Sequence, residues 1–144
     1  GWIHPRIVPV MLASVGRTRT EFAENSVKNG KAIASPAFPT DDHLAYAQAL
    51  ETYDRGWIGS GVLRHMLAVL TQADRTERLQ AVTVPTWVIH GTNDQLVHKS
   101  GGRATADAIT GAKYQEIAGL GHDLPAQLYE AFVESITANI ARAN

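Results

Sequence analysis

Two stretches decide how this chain is read: IHGTNDQLV, Ile89–Val97, and EIAGLGHDLP, Glu116–Pro125. Each opens as an apolar strand and runs into a turn. The first turn carries an acid, Asp94; the second carries His122. Between them GGRATADAIT, Gly101–Thr110, reads as a helix. Strand, helix and strand form a crossover unit, in which the two strands run parallel. Ligands and reactive groups of open parallel sheets gather at the carboxyl ends of the strands. The two turns are therefore expected to be spatial neighbours. A carboxylate there can accept a hydrogen bond from an imidazole, fix its tautomer and stabilise its protonated form. Gly91 permits a sharp exit from the first strand, and Gly119 and Gly121 let the second loop present His122 without crowding.

Outward from this pair the chain is regular. VTVPTWVIH, Val82–His90, is apolar and β-branched without two-residue alternation, as in an interior parallel strand covered on both faces. Pro85 fits best near its start. Ala112–Ala118 is the second strand. The last helix is expected from about Ala126 to Ala141, with Leu128, Tyr129, Phe132, Val133, Ile136 and Ile140 on one face.

Before about residue 82 the periodicity is helical. Thr18 with Glu21 is a capping-box pattern, opening a helix from Arg19 to about Ala34. SPAFPTDD, Ser35–Asp42, is a loop with two prolines. A second helix is expected from Asp42 to about Arg55. A third runs from Gly61 to Gln72, with Ser60 as its cap. Val62, Leu63, Met66, Leu67, Val69 and Leu70 cover much of its circumference, so it is expected to be buried. Asp74 and Glu77 mark a short helix through Leu79. The chain accordingly divides into a helical region, 1–81, and a βαβα region, 82–144. No internal repeat or low-complexity tract interrupts it.

Composition narrows the function classes. The 144 residues are 44% apolar and 19% charged, the proportions of an ordinary globular domain. With 13 basic and 14 acidic residues mixed along the chain, no basic stripe invites a nucleic acid. There is no cysteine, which excludes disulfides, a thiolate nucleophile and thiolate-bound zinc. This is compatible with a cytoplasmic protein. No apolar run approaches the roughly 20 residues that span a bilayer, and Pro5 and Pro9 break the N-terminal segment as a signal peptide. His4, His43, His65 and His98 have no metal-ligand spacing. Neither a metal nor a cofactor is expected.

VPTWVIHGTNDQLV and EIAGLGHDLP resemble the acid and histidine segments of the α/β-hydrolase superfamily. GGRATADAI and GHDLP are most similar to the esterase branch that includes aclacinomycin-methylesterase-like enzymes. The helical region, Arg19 to about Leu79, resembles the cap inserted before the last sheet strands. The resemblance implies an α/β fold, specifically the C-terminal portion of an α/β-hydrolase sheet behind a cap. It further implies a nucleophile–histidine–acid triad in that chain order, with Asp94 as acid and His122 as base, 28 residues apart. The implied substrate is a small ester-like molecule.

The nucleophile itself is missing. No G-x-S-x-G elbow occurs; GWIGSGV has Ser60 between glycines in the wrong register and a helical context. The expectation is that the nucleophile and the oxyanion loop lie upstream of Gly1, and that the chain is the later half of a larger hydrolase. A half sheet exposes an unpaired strand edge. It calls for the N-terminal half, or for a second copy of the chain as a dimer. Two alternatives stay open: an inactive fragment that binds or self-associates, and epoxide, haloalkane or C–C bond hydrolysis on the same framework.

Plainer roles compete for each residue. Asn93-Asp94 is good turn chemistry by itself. Asp123 is expected to serve its own turn, and His90 to be satisfied by nearby backbone. Trp2, Trp57, Phe38, Met11 and Met66 can line an apolar pocket, although such residues are more often core.

Overall fold

A computed structural model describes residues 4–11, 13 and 15–143. A 3-10 turn, Pro5–Ile7, and a short helix α1, Val8–Met11, lead into α2, Arg19–Gly30. Thr18 caps α2 as its sequence requires: its side chain accepts from the Glu21 N–H, and the Glu21 carboxylate reaches back to the Thr18 N–H. Helix α3 spans Asp42–Asp54, capped by Asp41, which accepts from the His43 and Leu44 N–H groups. The loop between them lets α2 and α3 pack together. Buried Phe22, Ala23 and Ala49 form their core, with Tyr53 and Trp57 tilted against Phe22 at 5.5 and 4.9 Å between ring centroids. Arg19 clamps Asp54 with two hydrogen bonds, joining the start of α2 to the end of α3.

Helix α4, Gly59–Leu70, departs from expectation twice. Its cap position is Ile58, so Ser60 lies inside the first turn, where its Oγ accepts from Arg64. Nor is α4 buried: Val62, Leu63, Leu67, Val69 and Leu70 are all exposed, Leu63 by 61%. An apolar circumference makes burial favourable but does not supply the neighbour that would do the burying. Helix α5, Thr76–Gln80, follows, with Asp74 holding the Thr76 N–H and hydroxyl just ahead of it.

Among the described residues the sheet has two parallel strands, β1, Trp87–Gly91, and β2, Lys113–Ile117, paired in register from Trp87 opposite Lys113 to Gly91 opposite Ile117. Both are shorter than the apolar runs that predict them. Pro85 falls just before β1, outside the ladder it cannot join. Helix α6, Lys99–Ala108, makes the crossover. It starts earlier than expected because the His98 ring caps it, accepting from the Ser100 N–H. Gly102 allows α6 to lie close on β1, since a Cβ there would press into the His90 ring.

A 3-10 turn, Ala126–Leu128, opens the final helix α7, Tyr129–Ala141. It is tied to the sheet by polar contacts: Ser135 Oγ to Gln115 at 2.7 Å, Asn139 to the Pro85 carbonyl at 3.0 Å, and Arg142 to the Thr86 carbonyl at 3.1 Å. Phe132 is buried, whereas Tyr129, Val133, Ile136 and Ile140 are exposed. The predicted apolar face exists, and four of its six residues are uncovered. Among the described residues no helix is long and apolar enough to cross a membrane.

Candidate active site

The turn after β1 is built around Asp94. Its Oδ1 accepts from the Leu96 N–H at 2.9 Å and the Val97 N–H at 2.8 Å. This is the Asp-centred turn expected of Asn93-Asp94. The same side chain does more than its turn requires. Its other oxygen, Oδ2, lies 2.8 Å from Nδ1 of His122. With the carboxylate ionised and acceptor-only, the ring nitrogen donates. The Asp94 side chain is 6% exposed and the His122 ring 42% exposed. The acid is thus enclosed and oriented by two backbone amides, while the imidazole stands open.

His90, at the end of β1, is buried. Its Nδ1 meets the Gly91 carbonyl at 3.0 Å, the nearby backbone partner expected of it. Its Nε2 is 3.8 Å from Asp94 Oδ2, beyond hydrogen-bonding range, so it forms one wall behind the carboxylate.

The two turns are stitched directly to each other. The Thr92 N–H donates to the Ile117 carbonyl and the Asn93 N–H to the Leu120 carbonyl, at 3.0 and 2.9 Å. Thr92 Oγ1 accepts from the Gly119 N–H at 2.9 Å. Gly91 is required for this approach: a Cβ there would overlap the Leu120 carbonyl oxygen.

A third segment joins them that sequence reasoning gave partly to the first helix, expected to run to about Ala34, and partly to a plain loop; the helix stops at Gly30. After α2 the chain turns through Ile33, Ala34 and Ser35 against the histidine loop. The Ile33 carbonyl accepts from the His122 N–H at 2.7 Å. Ser35 Oγ accepts from the Gly121 N–H at 2.8 Å and donates to the Asp123 carboxylate. Asp123 therefore reaches across to the helical region, contrary to the local role expected of it. Neighbouring serine and aspartate signal a turn in sequence; pairing across 88 positions leaves no local trace.

Beside the pair runs an apolar trough of about 680 Å³, flanked by Ile89, Leu120, Leu124, Phe132 and Ile136, with His122 and Asp94 on its wall. None of Trp57, Phe38, Met11 or Met66 lines it. Trp57 packs on Phe22 instead, and Trp2 lies outside the described residues. Ser60 is occupied with Arg64 in α4. Among the described residues no hydroxyl hydrogen-bonds the His122 ring, and no group of three or more His, Cys, Asp or Glu side chains could hold a metal ion.

An imidazole anchored through Nδ1 has Nε2 left to take and return a proton. The chain is 27% identical over 134 residues to the rhodomycin D methylesterase DnrP of Streptomyces peucetius, which takes in 92% of this chain and 45% of that protein. Its fold matches the esterase RhEst1 of Rhodococcus sp. ECU1013 over its whole length, at a TM-score of 0.68 and 20% identity, covering 50% of that chain. It matches the meta-cleavage product hydrolase CumD of Pseudomonas fluorescens IP01 at 0.67 and 17% identity, over 99% of this chain and 52% of that one. The chain thus spans about half the length of the relatives it matches. The sequence model of the family described as serine aminopeptidase, S33, covers residues 2–127. With most of its length inside that match and its strands and helices laid out as in esterase structures, the chain belongs to this α/β-hydrolase family.

Proposed function

We propose that these 144 residues are the later half of a carboxylic-ester hydrolase, with Asp94 as the triad acid and His122 as the general base. The observation that carries this reading is the 2.8 Å contact between an enclosed, doubly anchored carboxylate and an open imidazole. A serine supplied from outside the chain attacks the ester carbonyl carbon. His122 Nε2 takes the hydroxyl proton, and Asp94 stabilises the imidazolium. The tetrahedral intermediate collapses, and His122 returns the proton to the departing alkoxide. Water then repeats the sequence on the acyl-enzyme and restores the serine. Backbone amides that would hold the oxyanion also come from outside the chain. The methylesterase relative makes a methyl ester the first substrate to test. Residues 1–81 serve as the cap and 82–144 as the catalytic side of the sheet.

The test is turnover of a chromogenic short-chain ester by the complete protein and its His122→Ala variant. Loss of turnover by three or more orders of magnitude in a variant that still folds is expected. Near-normal turnover removes the assignment.

A further inference from the structure

We propose that Ser35 is a positioning residue for His122, acting as a latch between the loop after α2 and the histidine loop. Ser35 is 2% exposed, although it opens a loop that contains Pro36 and Pro39. A buried hydroxyl must be hydrogen-bonded, and this one is used in both directions. It accepts from the Gly121 N–H, the residue immediately before His122, and donates to Asp123, the residue immediately after. The Ile33 carbonyl accepts from the His122 N–H between them at 2.7 Å. Three consecutive residues of the histidine loop are thereby held by one short segment of the helical region.

Close approach is built into the contact. A Cβ on Gly121 would stand 2.5 Å from the Ile33 carbonyl oxygen and 2.6 Å from the Ala34 carbonyl carbon. The ring of His122 is itself exposed, and its one hydrogen-bond partner among the described residues is Asp94. The direction in which it points therefore depends on its backbone. That backbone is fixed on one side by β2 and its turn, and on the other by the Ser35 segment. Ser35 bonds to Gly121 and Asp123 and the ring bonds to Asp94, so Ser35 acts through the loop.

The inference rests on the hydrolase reading for its catalytic consequence but not for its geometry, so two readouts are needed. The first is the His122 ring Nδ1–H proton resonance in the complete protein, assigned by its disappearance in His122→Ala. The second is kcat and KM for ester hydrolysis in the complete protein. In Ser35→Ala, and separately in Asp123→Ala, the resonance is expected to broaden or shift upfield. At the same time kcat falls about tenfold or more while KM changes less than twofold. Asp123→Asn, which keeps an oxygen acceptor for the hydroxyl, is expected to restore most of both. An unchanged resonance in folded Ser35→Ala and Asp123→Ala overturns the latch, whatever the activity. A changed resonance in a protein that hydrolyses no ester leaves the latch standing and removes the hydrolase reading.

Discussion

At the scale of single residues, Asp94 is the most constrained side chain of the site. Its carboxylate takes three hydrogen bonds, two from amides of its own turn and one from the His122 ring. Replacing it with Asn keeps the shape and an oxygen for the amides. It also turns an NH2 toward Nδ1, which favours the wrong ring tautomer. Asp94→Asn is expected to lower kcat by about 10⁴ with little change in KM. Steady-state kinetics on the complete protein measure this. An equal loss through KM alone would mean that Asp94 binds substrate and does not orient the base. That Asp94 and His122 meet was legible in sequence, because each stands just past an apolar strand at a glycine-bearing turn. Ser35 was not, since its importance comes from a partner 86 positions away.

At the scale of elements, the helices begin where capping chemistry says they should when the cap is a side chain that can reach the backbone. Thr18 and Asp41 do so. Ser60 does not, because Ile58 already occupies the cap position, and the serine turns to Arg64. The strands came out shorter than their apolar runs because Pro85 offers no N–H and, among the described residues, each strand has a single neighbour to define the ladder. Acid should loosen the helical region. The Glu21 carboxyl is held below its ordinary value by the Arg17 and Thr18 backbone N–H groups, and Asp54 by its hydrogen bonds from Arg19. A depressed carboxyl pKa favours the fold at neutral pH. That gain is lost as pH falls below the ordinary value, about 4.3 for Glu, and through the folded value. Far-UV circular dichroism melts between pH 7 and pH 3 should show a falling midpoint. The fall should be smaller in Glu21→Gln; an identical slope in both proteins would contradict this role for Glu21. The effect is modest because both groups are exposed and screened by solvent.

At the scale of the whole molecule, the described residues hold a two-stranded sheet with one edge of β1 unpaired and apolar residues of α4 and α7 in solvent. An edge of this kind recruits another chain or segment. The trough beside His122 follows the same face, between β1 and α7. The 144-residue chain, by itself, is expected to sediment as more than its 15.6 kDa monomer. Val133→Lys with Ile136→Lys should shift it toward monomer. A wild-type chain that stays monomeric at micromolar concentration would contradict the claim that this face is meant to be covered. The alternation of helix and strand after residue 82 made the fold class readable. The exposure of α4 and α7 was not, because a sequence pattern reports which face seeks burial and not whether a partner is there.

The central claim is that Asp94 and His122 serve a nucleophile outside this chain. Its most direct test is to treat the complete protein with a serine-directed fluorophosphonate and locate the adduct by peptide mass spectrometry. One modified serine is expected, outside these 144 residues, whose labelling is lost or slowed by orders of magnitude in His122→Ala. An adduct on Ser60 or another serine of this chain, or labelling indifferent to His122, would contradict it.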